Sequence, residues 1–509
     1  MSKLTTTSTD DGGLGGFLRR TIHRAWDGMS NALDADLLLQ RTMAGFIETA
    51  RQRYPLDAGA EWKAGEPLKV LLAGYSGTRN TGADVRVEEM VRQFRHIFGD
   101  EWIDLSLLSI DPEMSRGYFR TVKQLHLPQL FPKFLFDSVH EQHMVIACEG
   151  SMFKSKFANA LATMMVGSLG LALAEHKIAV GYGGEAGKMD ESLQNLVREY
   201  CQGALIIARN TESQRVLGDL GVASRPGTDT AWTFEPADTS VGEQLLRDAG
   251  WDGEAPVLAL CPINPFWWPV RPDVTRAASR ALTGAHKEAH YSSVYFHNSG
   301  SEVDEKQTRY LTAIADAVLA FQKEQKVFPI LVGMEKLDRK AAEALRPMLG
   351  GKTPLFISDE HDMYEMVSVL RRCSMLVSSR YHAIVTSMPG GVASAGITMD
   401  ERIRNLMKDR GTPDLALEVD DPKLAENLLT VLKRLHAEPD TIRNGIDLCV
   451  LKNLERMGEM GMSLVEHVRE NIPDFPFREG MGKGGDPWDH LPSLPSDVQK
   501  ILERQGGRP

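Results

Sequence analysis

Cysteine is scarce in this 509-residue chain, and its spacing forms no pair. The five cysteines are Cys148, Cys201, Cys261, Cys373 and Cys449, an odd number without a C-x-x-C motif. This pattern excludes a cysteine zinc framework and a disulfide scaffold, and it is typical of a reducing cytoplasm. No cluster of His, Cys and Asp has metal-ligand spacing, so the sequence predicts no metal site.

Positive charge is also in short supply. The chain has 58 Lys and Arg against 69 Asp and Glu, which gives a formal net charge of -11 at pH 7. A broad nucleic-acid surface needs a basic face, so the net charge argues against such a partner, although it does not exclude a local basic pocket for an anion. The first twenty residues lack the apolar core of a signal peptide, so secretion is not predicted.

Long apolar runs are nearly absent. The one segment to weigh as a membrane span is 157–174, which is 18 residues long, carries no charge and stands at the lower limit for spanning. It contains Asn159, Thr163, Ser168 and two glycines, and a strand-like run follows directly. A buried helix inside a domain is therefore the preferred interpretation.

What the chain does have is a repeated alternation of apolar strands and amphipathic helices. Runs such as "KVLLAG", "KIAVGYGG", "PVLALC" and "SMLVSS" are continuous apolar strands typical of a parallel sheet covered on both faces. We predict an α/β protein with two Rossmann-like domains that face a cleft. The predicted divisions are a partly disordered helical extension (1–65), two Rossmann-like domains (66–245 and 246–440, with the boundary near 236–256), and a C-terminal helix with a coil tail from Ile472 (441–509).

The loop "GYSGTRNTGAD" follows the first of these strands. Its glycines Gly77 and Gly82 have P-loop spacing, but Ala83 and Asp84 stand where a phosphate-binding loop has Lys and Ser/Thr. The loop is therefore not a standard nucleotide loop. Ligands of such sheets sit at the carboxyl ends of the strands, so we expect this loop to line the cleft.

The stretch "SMLVSSRYHAIVTSMPGG" carries the clearest chemistry. A buried strand ends at Ser379, and Arg380 and His382 arrive where the next helix begins. Arg380 adds a fork for a carboxylate or phosphate, and His382 can exchange a proton near neutral pH. The alternative is a surface arginine beside a packed core histidine.

Four separated blocks resemble the polysaccharide pyruvyl transferase family. They are the Gly74–Gly82 loop, the "IIARNTESQRVLGDLGV" block with Arg209, the "RPGTDTAW" turn with Asp229, and "SSRYHAIVTSMPGGVASAGITMDERIRNLM". The resemblance covers roughly residues 69 to 410. The chain departs from the family after the strand ending in "ACEGSMF", where Gly150 and Ser151 remain from a glycine run.

The resemblance implies a two-domain fold like that of GT-B glycosyltransferases and transfer of pyruvyl from phosphoenolpyruvate to a sugar hydroxyl as a ketal. It implies no cofactor beyond that donor substrate. Arg380 and Arg209 would hold the anionic groups of phosphoenolpyruvate, and His382 would act as the general acid. Asp84 would orient the acceptor or act as a base, with helix capping as its alternative.

Further residues are expected at the binding site. Asn80 and Gly82 would let the loop approach the ligand closely, and Ser151 belongs to the retained part of the glycine run. Glu185, in the Gly-rich loop "GYGGEAGK", would contact the acceptor. His297 ends a strand that faces the cleft, with a plain loop as its alternative. Among aromatic residues, Trp267 and Trp268 suit a sugar ring, although ordinary packing also explains them.

Three functions stay open on the sequence. The first is pyruvyl transfer to a sugar or glycan acceptor, lipid-linked in one version. The second is a GT-B-like glycosyltransferase that uses a nucleotide sugar. The third is a non-catalytic binding or assembly protein that keeps the fold, which the shortened glycine run allows. The expected location is the cytoplasm or the inner face of the membrane, without a nucleic-acid partner, as a monomer or homo-oligomer.

Overall fold

A computed structural model describes residues 34–148, 150–292, 294–481 and 485–508. The expected disordered start of the chain, and the part of the N-terminal helix that was predicted from Phe17, lie outside these ranges. The described chain begins with helix α1, Ala35–Arg53, and Asp34 caps this helix by accepting from the backbone N–H groups of Asp36 and Leu37. Met43 and Ile47 on its apolar face are fully buried.

The first sheet has seven parallel strands in the order β3-β2-β1-β4-β5-β6-β7. Its central strands are buried along nearly their whole length, which is why they appear in the sequence as continuous apolar runs. The strands span Leu68–Ala73 (β1), Ile103–Ser109 (β2), Lys123–His126 (β3), Met144–Ala147 (β4), Ile178–Gly184 (β5), Leu205–Ala208 (β6) and Arg225–Pro226 (β7).

Helices connect these strands and cover the sheet. Asn80 caps the helix after β1 through its side-chain oxygen, 3.2 Å from the backbone nitrogen of Ala83. The helices span Thr81–Phe98 (α2), Pro132–His140 (α3), Asn159–Ala174 (α4), Glu191–Tyr200 (α5) and Thr211–Asp219 (α6).

The apolar segment weighed as a membrane span forms α4. Its side chains are buried against α1, α3 and α5 inside the first half of the molecule, as the preferred interpretation required. Within the described residues, no helix combines the length and the apolar character needed to cross a membrane.

The second large sheet has six parallel strands in the order β13-β12-β8-β14-β15-β16. These strands span Val257–Cys261 (β8), Phe328–Gly333 (β12), Leu355–Ile357 (β13), Met375–Ser378 (β14), Ala393–Thr398 (β15) and Ala416–Glu418 (β16). A small antiparallel sheet, in the order β10-β11-β9, stands beside it. It consists of Arg271–Pro272 (β9), His290–Ser292 (β10) and Tyr295–Phe296 (β11).

Nine helices of eight or more residues and one shorter one accompany the second sheet and the end of the described chain. They are Thr239–Asp248 (α7), Val274–Thr283 (α8), Ser301–Glu324 (α9), Arg339–Met348 (α10), Met363–Arg372 (α11), Tyr381–Ser387 (α12), Glu401–Asp409 (α13), Leu424–Ala437 (α14), Pro439–Asn471 (α15) and Ser496–Gln505 (α16).

Helix α15 connects the two halves of the molecule. Helix α15 returns to the first half, where Gln93 donates to the carbonyl of Met457 at 3.0 Å and Thr228 donates to Asn453 at 2.5 Å. The tail beyond Ile472 was expected to be coil on the surface. Instead it includes α16, and it buries Trp488 and Ile501 because these apolar side chains pack against the rest of the molecule.

The two sheets confirm the predicted fold class, in which two Rossmann-like α/β units face a cleft as in the GT-B arrangement. No single sheet runs through both halves of the described chain. Helix α7 packs on α11 of the second unit, with the backbone N–H of Gly242 3.1 Å from the hydroxyl of Ser368. The domain boundaries stated above stay a prediction.

Candidate active site between the two sheets

The cleft between the two units lies at the carboxyl ends of strands from both sheets. It encloses about 800 Å³, including its open mouth. Polar and aromatic side chains line it together: Tyr75, Asn80, Gly82, Ala83, Ser151, Phe157, Leu161, Ile263, Trp268, Tyr291, Met334, Glu335, Ser379, Arg380, Tyr381, His382, Met399 and Arg402. Five of the expected site residues, Asn80, Gly82, Ser151, Arg380 and His382, are in this set.

The loop after β1 meets the second unit directly. The backbone N–H of Thr81 donates to the carbonyl of Met334, at the end of β12, over 2.8 Å. Gly77 has a positive φ of 87°, and a Cβ there would lie 2.2 Å from the hydroxyl of Ser109. Glycine is therefore required for this turn, and the turn brings the start of α2 against the cleft.

The absence of a side chain at Gly82 leaves the space that the imidazole ring of His382 occupies. A Cβ on Gly82 would lie 2.3 Å from Nδ1 of His382, so only glycine leaves room for the imidazole ring. His382 comes from the second unit, in the first turn of α12, while Gly82 belongs to the first turn of α2. The ring is thus held between two helix starts from opposite sides of the cleft.

His382 is paired with a buried carboxylate. Its Nε2 lies 3.2 Å from Oδ2 of Asp229, whose side chain is fully buried, whereas the side chain of His382 remains 15% exposed to the cleft. Burial lowers the pKa of His382 despite the nearby Asp229, and Arg86 and Arg209 add to the lowering. The imidazole is therefore neutral near pH 7.

Two guanidinium groups stabilise the charge on Asp229. Nε of Arg86 and a terminal nitrogen of Arg209 each lie 3.1 Å from Oδ2 of Asp229. Although burial alone would raise the pKa of Asp229, these two cations and His382 hold it far below its usual value. Asp229 is therefore ionised, and it accepts the hydrogen bond from His382.

Arg209 was expected to hold an anionic ligand, but the structure places it among other partners. Besides Asp229 it forms an ion pair with Glu185, and its guanidinium lies 4.7 Å from the ring centre of Tyr381. It is 6% exposed and lies behind the cleft wall. Glu185 is likewise buried, and it also pairs with Lys154 at 3.3 Å.

Arg380 lines the cleft but is already paired with two carboxylates. Nε of Arg380 lies 2.9 Å from Oδ2 of Asp338, and NH2 lies 3.1 Å from Oε2 of Glu335. Glu335 also accepts from the Tyr75 hydroxyl at 3.1 Å and from the Asn80 amide at 3.2 Å. The guanidinium fork expected for a ligand is thus directed at residues of the protein.

The acidic pair at Glu335 and Asp338 was not expected from the sequence. Burial raises the pKa of both carboxyl groups above their usual values, and the Arg380 guanidinium opposes that rise. Both residues follow the end of β12 in "GMEKLD", as ligand-binding residues commonly follow parallel strands. Their position after a parallel strand is the sequence signal that could have identified these carboxylates. Their partner Arg380 lies 42 residues beyond Asp338, so the ion pair itself has no local signal in the sequence.

A second cluster of charges was also missed. Lys154 lies between Glu185 and Glu401, and burial lowers its pKa to about 8. Arg402 pairs with Asp400 at the start of α13, and its guanidinium stands 4.7 Å from the ring centre of Phe157. Of this cluster, Arg402 and Phe157 line the cleft, whereas Lys154, Glu185, Asp400 and Glu401 are not part of the lining.

Besides Arg209 and Glu185, two further expected site residues lie away from the cleft lining. Asp84 is fully buried in the first turn of α2, one turn beyond Asn80. His297 is 2% exposed and packs against the rings of Trp267 and Tyr291, with ring centres 4.6 and 5.2 Å away. Burial lowers the pKa of His297 to about 4, so this histidine is neutral.

The two tryptophans have different surroundings. Trp268 lines the cleft and packs edge-on against Phe157, with the ring centres 5.9 Å apart. Trp267 packs against His297 with the ring planes tilted by 33°, as the packing interpretation of this motif expects. Trp268, Phe157 and Tyr291 together give one wall of the cleft an aromatic surface.

No protein-family model matches the chain, and no curated protein matches it. Among solved structures, UDP-GlcNAc 2-epimerase from Neisseria meningitidis bound to UDP-GlcNAc is similar at 10% identity and a TM-score of 0.47, over 79% of this chain and 100% of that one. The S. aureus MnaA-UDP co-structure is similar at 11% identity and a TM-score of 0.48, over 80% of this chain and 97% of that one. The E. coli ADP-heptose lps heptosyltransferase II is similar at 12% identity and a TM-score of 0.35, over 72% of this chain and 98% of that one. Similarity this low says nothing about what the present chain binds.

Proposed function

We propose that this protein is a GT-B-like glycosyltransferase that moves a sugar from a nucleotide sugar to a hydroxyl group in the cleft. The observation that carries the proposal is the pair formed by His382 and Asp229. Asp229 is ionised and accepts the hydrogen bond, so Nε2 of the neutral imidazole must carry the proton. Nδ1 then holds a lone pair, and His382 is set up to accept a proton rather than to donate one.

This tautomer fits the reaction in a direct way. The acceptor hydroxyl gives its proton to Nδ1 of His382, and the acceptor oxygen forms a bond with the anomeric carbon of the donor. The bond from that carbon to the diphosphate breaks, and the nucleoside diphosphate leaves with the electron pair. Asp229 stabilises the imidazolium that forms, as the carboxylate of a catalytic triad does.

The charges around the cleft support a sugar ligand over a small trianion. Arg380 is flanked by Glu335 and Asp338, so a phosphoenolpyruvate placed there would face two carboxylates. Glu335 is instead a suitable acceptor for sugar or ribose hydroxyl groups. Among the described residues in the cleft wall and directly behind it, six cations pair with six carboxylates: Arg86, Lys154, Lys156, Arg209, Arg380 and Arg402 with Glu185, Asp229, Glu335, Asp338, Asp400 and Glu401.

The aromatic wall supports the same choice. Trp268, Phe157 and Tyr291 offer flat apolar surfaces, which pack against a base or against the apolar face of a sugar ring.

Pyruvyl transfer from phosphoenolpyruvate is the second candidate, and one observation favours it. The blocks that resemble the pyruvyl transferase family are far apart in the sequence, but Gly82, Asp229, Arg380 and His382 meet at one cleft. In that reaction His382 would donate a proton to the methylene carbon of phosphoenolpyruvate. A first sugar hydroxyl would then attack C2 and return its proton to His382, and phosphate would leave with the electron pair of its bond to C2. A second hydroxyl of the same sugar would attack C2 and give its proton to the departing phosphate, which closes the ketal.

Thermal-shift titration separates the candidates. We expect UDP-, GDP- or ADP-sugars to raise the melting temperature, because a ligand at 100 times its Kd adds about 2.7 kcal/mol to the free energy of unfolding. Stabilisation by phosphoenolpyruvate, with no effect of any nucleotide sugar, would replace the proposal with pyruvyl transfer. If neither class stabilises the protein, the non-catalytic interpretation gains.

A further inference from the structure

A second cavity adjoins the cleft, and its walls are almost entirely apolar. It measures about 1610 Å³ including its wide opening, and it lies between α1, α4, the loop before α3 and the small antiparallel sheet. The side chains that make up most of this wall are Leu38, Leu39, Phe46, Leu127, Leu130, Phe131, Ala160, Leu161, Met164 and Val294. We call this cavity the apolar groove.

The groove exposes large hydrophobic side chains at its rim. Leu130 is 85% exposed and Leu38 is 66% exposed. Single exposed leucines need no explanation, but in the described part of the chain these two form a continuous exposed surface on one apolar cavity, and contact of such a surface with water costs free energy. A ligand with an apolar surface would remove that contact with water.

The apolar groove and the cleft share a wall. Tyr75, Phe157, Leu161 and Tyr291 line both cavities. On the cleft side of this wall lie polar groups, among them Asn80 and the Tyr75 hydroxyl that donates to Glu335. A single ligand that extends past these four residues would meet polar groups at one end and hydrocarbon at the other.

We propose that the apolar groove binds the hydrocarbon tail of a lipid-linked sugar acceptor whose head group lies in the cleft near His382. This inference rests on the proposed transfer to a sugar hydroxyl, and it specifies the class of acceptor. Only an amphiphile matches both cavities, since a free sugar would leave the groove empty and a plain hydrocarbon would present no hydroxyl to His382.

The polarity of the walls favours a lipid tail over a peptide or a protein segment. Each peptide unit brings an N–H and a C=O group that must be hydrogen-bonded when buried. Among the residues that the structure describes, the groove offers few partners, since its polar side chains are those of Thr42, Gln129, Lys133 and three tyrosines. A hydrocarbon chain has no such requirement, and it gains free energy with each methylene that it buries.

Alkyl β-glucosides of increasing length test the proposal on the full chain. Methyl, hexyl and octyl glucoside carry the same sugar head, and each is used below the concentration at which it forms micelles. We expect affinity to rise about four-fold for each methylene that enters the groove, hence about 15-fold from hexyl to octyl glucoside. Isothermal titration measures this gradient, and an equal affinity for all three glucosides would overturn the proposal.

A matched pair of double variants locates the gradient. Leu38→Glu with Leu130→Glu places two charges on the rim of the groove, whereas Leu56→Glu with Leu282→Glu changes two leucines that are 91% and 86% exposed and outside it. We expect the first variant to lose most of the gradient and the second to keep it. Equal losses in both, or no loss in the first, would overturn the assignment to this groove.

Two other occupants give distinct results. If a second copy of the chain covers the groove, light scattering will show an oligomer that the Leu38→Glu/Leu130→Glu variant abolishes, and the glucosides will show no gradient. If the rim only touches a membrane, the same variant will lose binding to phosphatidylglycerol vesicles, again without a gradient. Either result would overturn the proposal.

The test also stands apart from the proposed reaction. A gradient in the glucosides without stabilisation by any nucleotide sugar would leave the apolar groove as a lipid site and remove the glycosyltransferase assignment. Stabilisation by a nucleotide sugar without a gradient would do the reverse. The two failures are therefore distinguishable.

Discussion

Nε2 of His382 lies 3.2 Å from Oδ2 of Asp229, and the two residues come from opposite sides of the cleft. Asp229 belongs to the turn after β7 of the first unit, while His382 belongs to α12 of the second. The pair therefore exists only when the two units stand as they do here. Any movement that opens the cleft would separate the proposed base from the carboxylate that orients it.

Replacing the histidine should affect turnover more than binding. We expect His382→Gln to reduce kcat by about 10²–10⁴-fold, the usual effect of losing a general acid or base, while the thermal shift by the donor is retained. Single-turnover assays with the donor found by thermal shift measure the chemical step. A variant that loses donor binding, or that unfolds, would indicate a binding or packing role for His382 instead.

Because the imidazole of His382 packs against Gly82, a larger residue at position 82 should also reduce activity, although it leaves the histidine itself in place. Gly82→Ala places a methyl group 2.3 Å from Nδ1 of His382, so the ring must move and activity should fall. Gly218→Ala is the matched control, since Gly218 also lies in a helix and its Cβ would meet open space. That control should keep activity and gain about 0.5–1 kcal/mol of stability. Full activity of Gly82→Ala would show that the position of the ring is not critical.

Asp229→Asn should destabilise the protein as well as slow it. Removing the carboxylate leaves the guanidinium groups of Arg86 and Arg209 buried without their shared partner, which costs about 3–5 kcal/mol. Urea unfolding measures this, with Asp440→Asn as the control because Asp440 is 90% exposed in its ion pair with Arg443. That control should change stability by less than about 1 kcal/mol.

The same variant has a defined dependence on pH. The pKa of Asp229 is depressed in the folded protein, so its ionised form stabilises the fold above the unfolded pKa of about 3.9, and this contribution is lost as the pH falls. The difference in stability between the parent and Asp229→Asn should therefore be constant near neutral pH and shrink below about pH 4. A difference that grows on acidification would contradict the ionised state of Asp229.

We expect Arg380 to contribute to the free energy of unfolding, whereas the sequence predicted that it binds the donor. Arg380→Lys keeps the charge but cannot hold Asp338 and Glu335 with the same fork, so we expect a loss of about 1.5–3 kcal/mol for a broken charged hydrogen bond. Arg404→Lys, in an exposed pair with Glu418, should change stability by less than about 0.5 kcal/mol. Unchanged stability with a large loss of donor affinity would restore the original role.

The strands of both sheets could be predicted because a buried parallel strand requires apolar residues at every position. "KVLLAG" and "SMLVSS" satisfy this condition, and they form β1 and β14. The segments Ile103–Ser109 and Lys123–His126 were not predicted. The first mixes Asp104 and two serines with its apolar residues, and the second is an edge strand that is half exposed.

The members of the site could be predicted better than their partners. Gly82, Arg380 and His382 were expected at the cleft because they follow strands at helix starts, and the structure places them there. The sequence contains no local sign that Arg380 would pair with Glu335 and Asp338, or that Asp229 would need both Arg86 and Arg209. Such ion pairs depend on which strand ends lie next to each other in the folded protein. The hydrophobic periodicity and the motif spacing of the sequence do not indicate this.

The direction of proton transfer by His382 gives the sharpest separation of the two candidate reactions. Burial, with Arg86 and Arg209, lowers the pKa of His382 from its usual value of 6.5, so the neutral form is present at and above neutral pH. A general base must be neutral to act. The kcat/KM of a glycosyl transfer should therefore be constant near pH 7 and fall on acidification, with its midpoint below 6.5. A general acid must be protonated, so pyruvyl transfer through the same histidine should show the opposite slope and lose activity as the pH rises through that midpoint.

His382→Gln is the control, because its residual activity should lack this dependence in either case. A pH profile that is unchanged by His382→Gln would place the titrating group on another residue and remove His382 from the proton transfer.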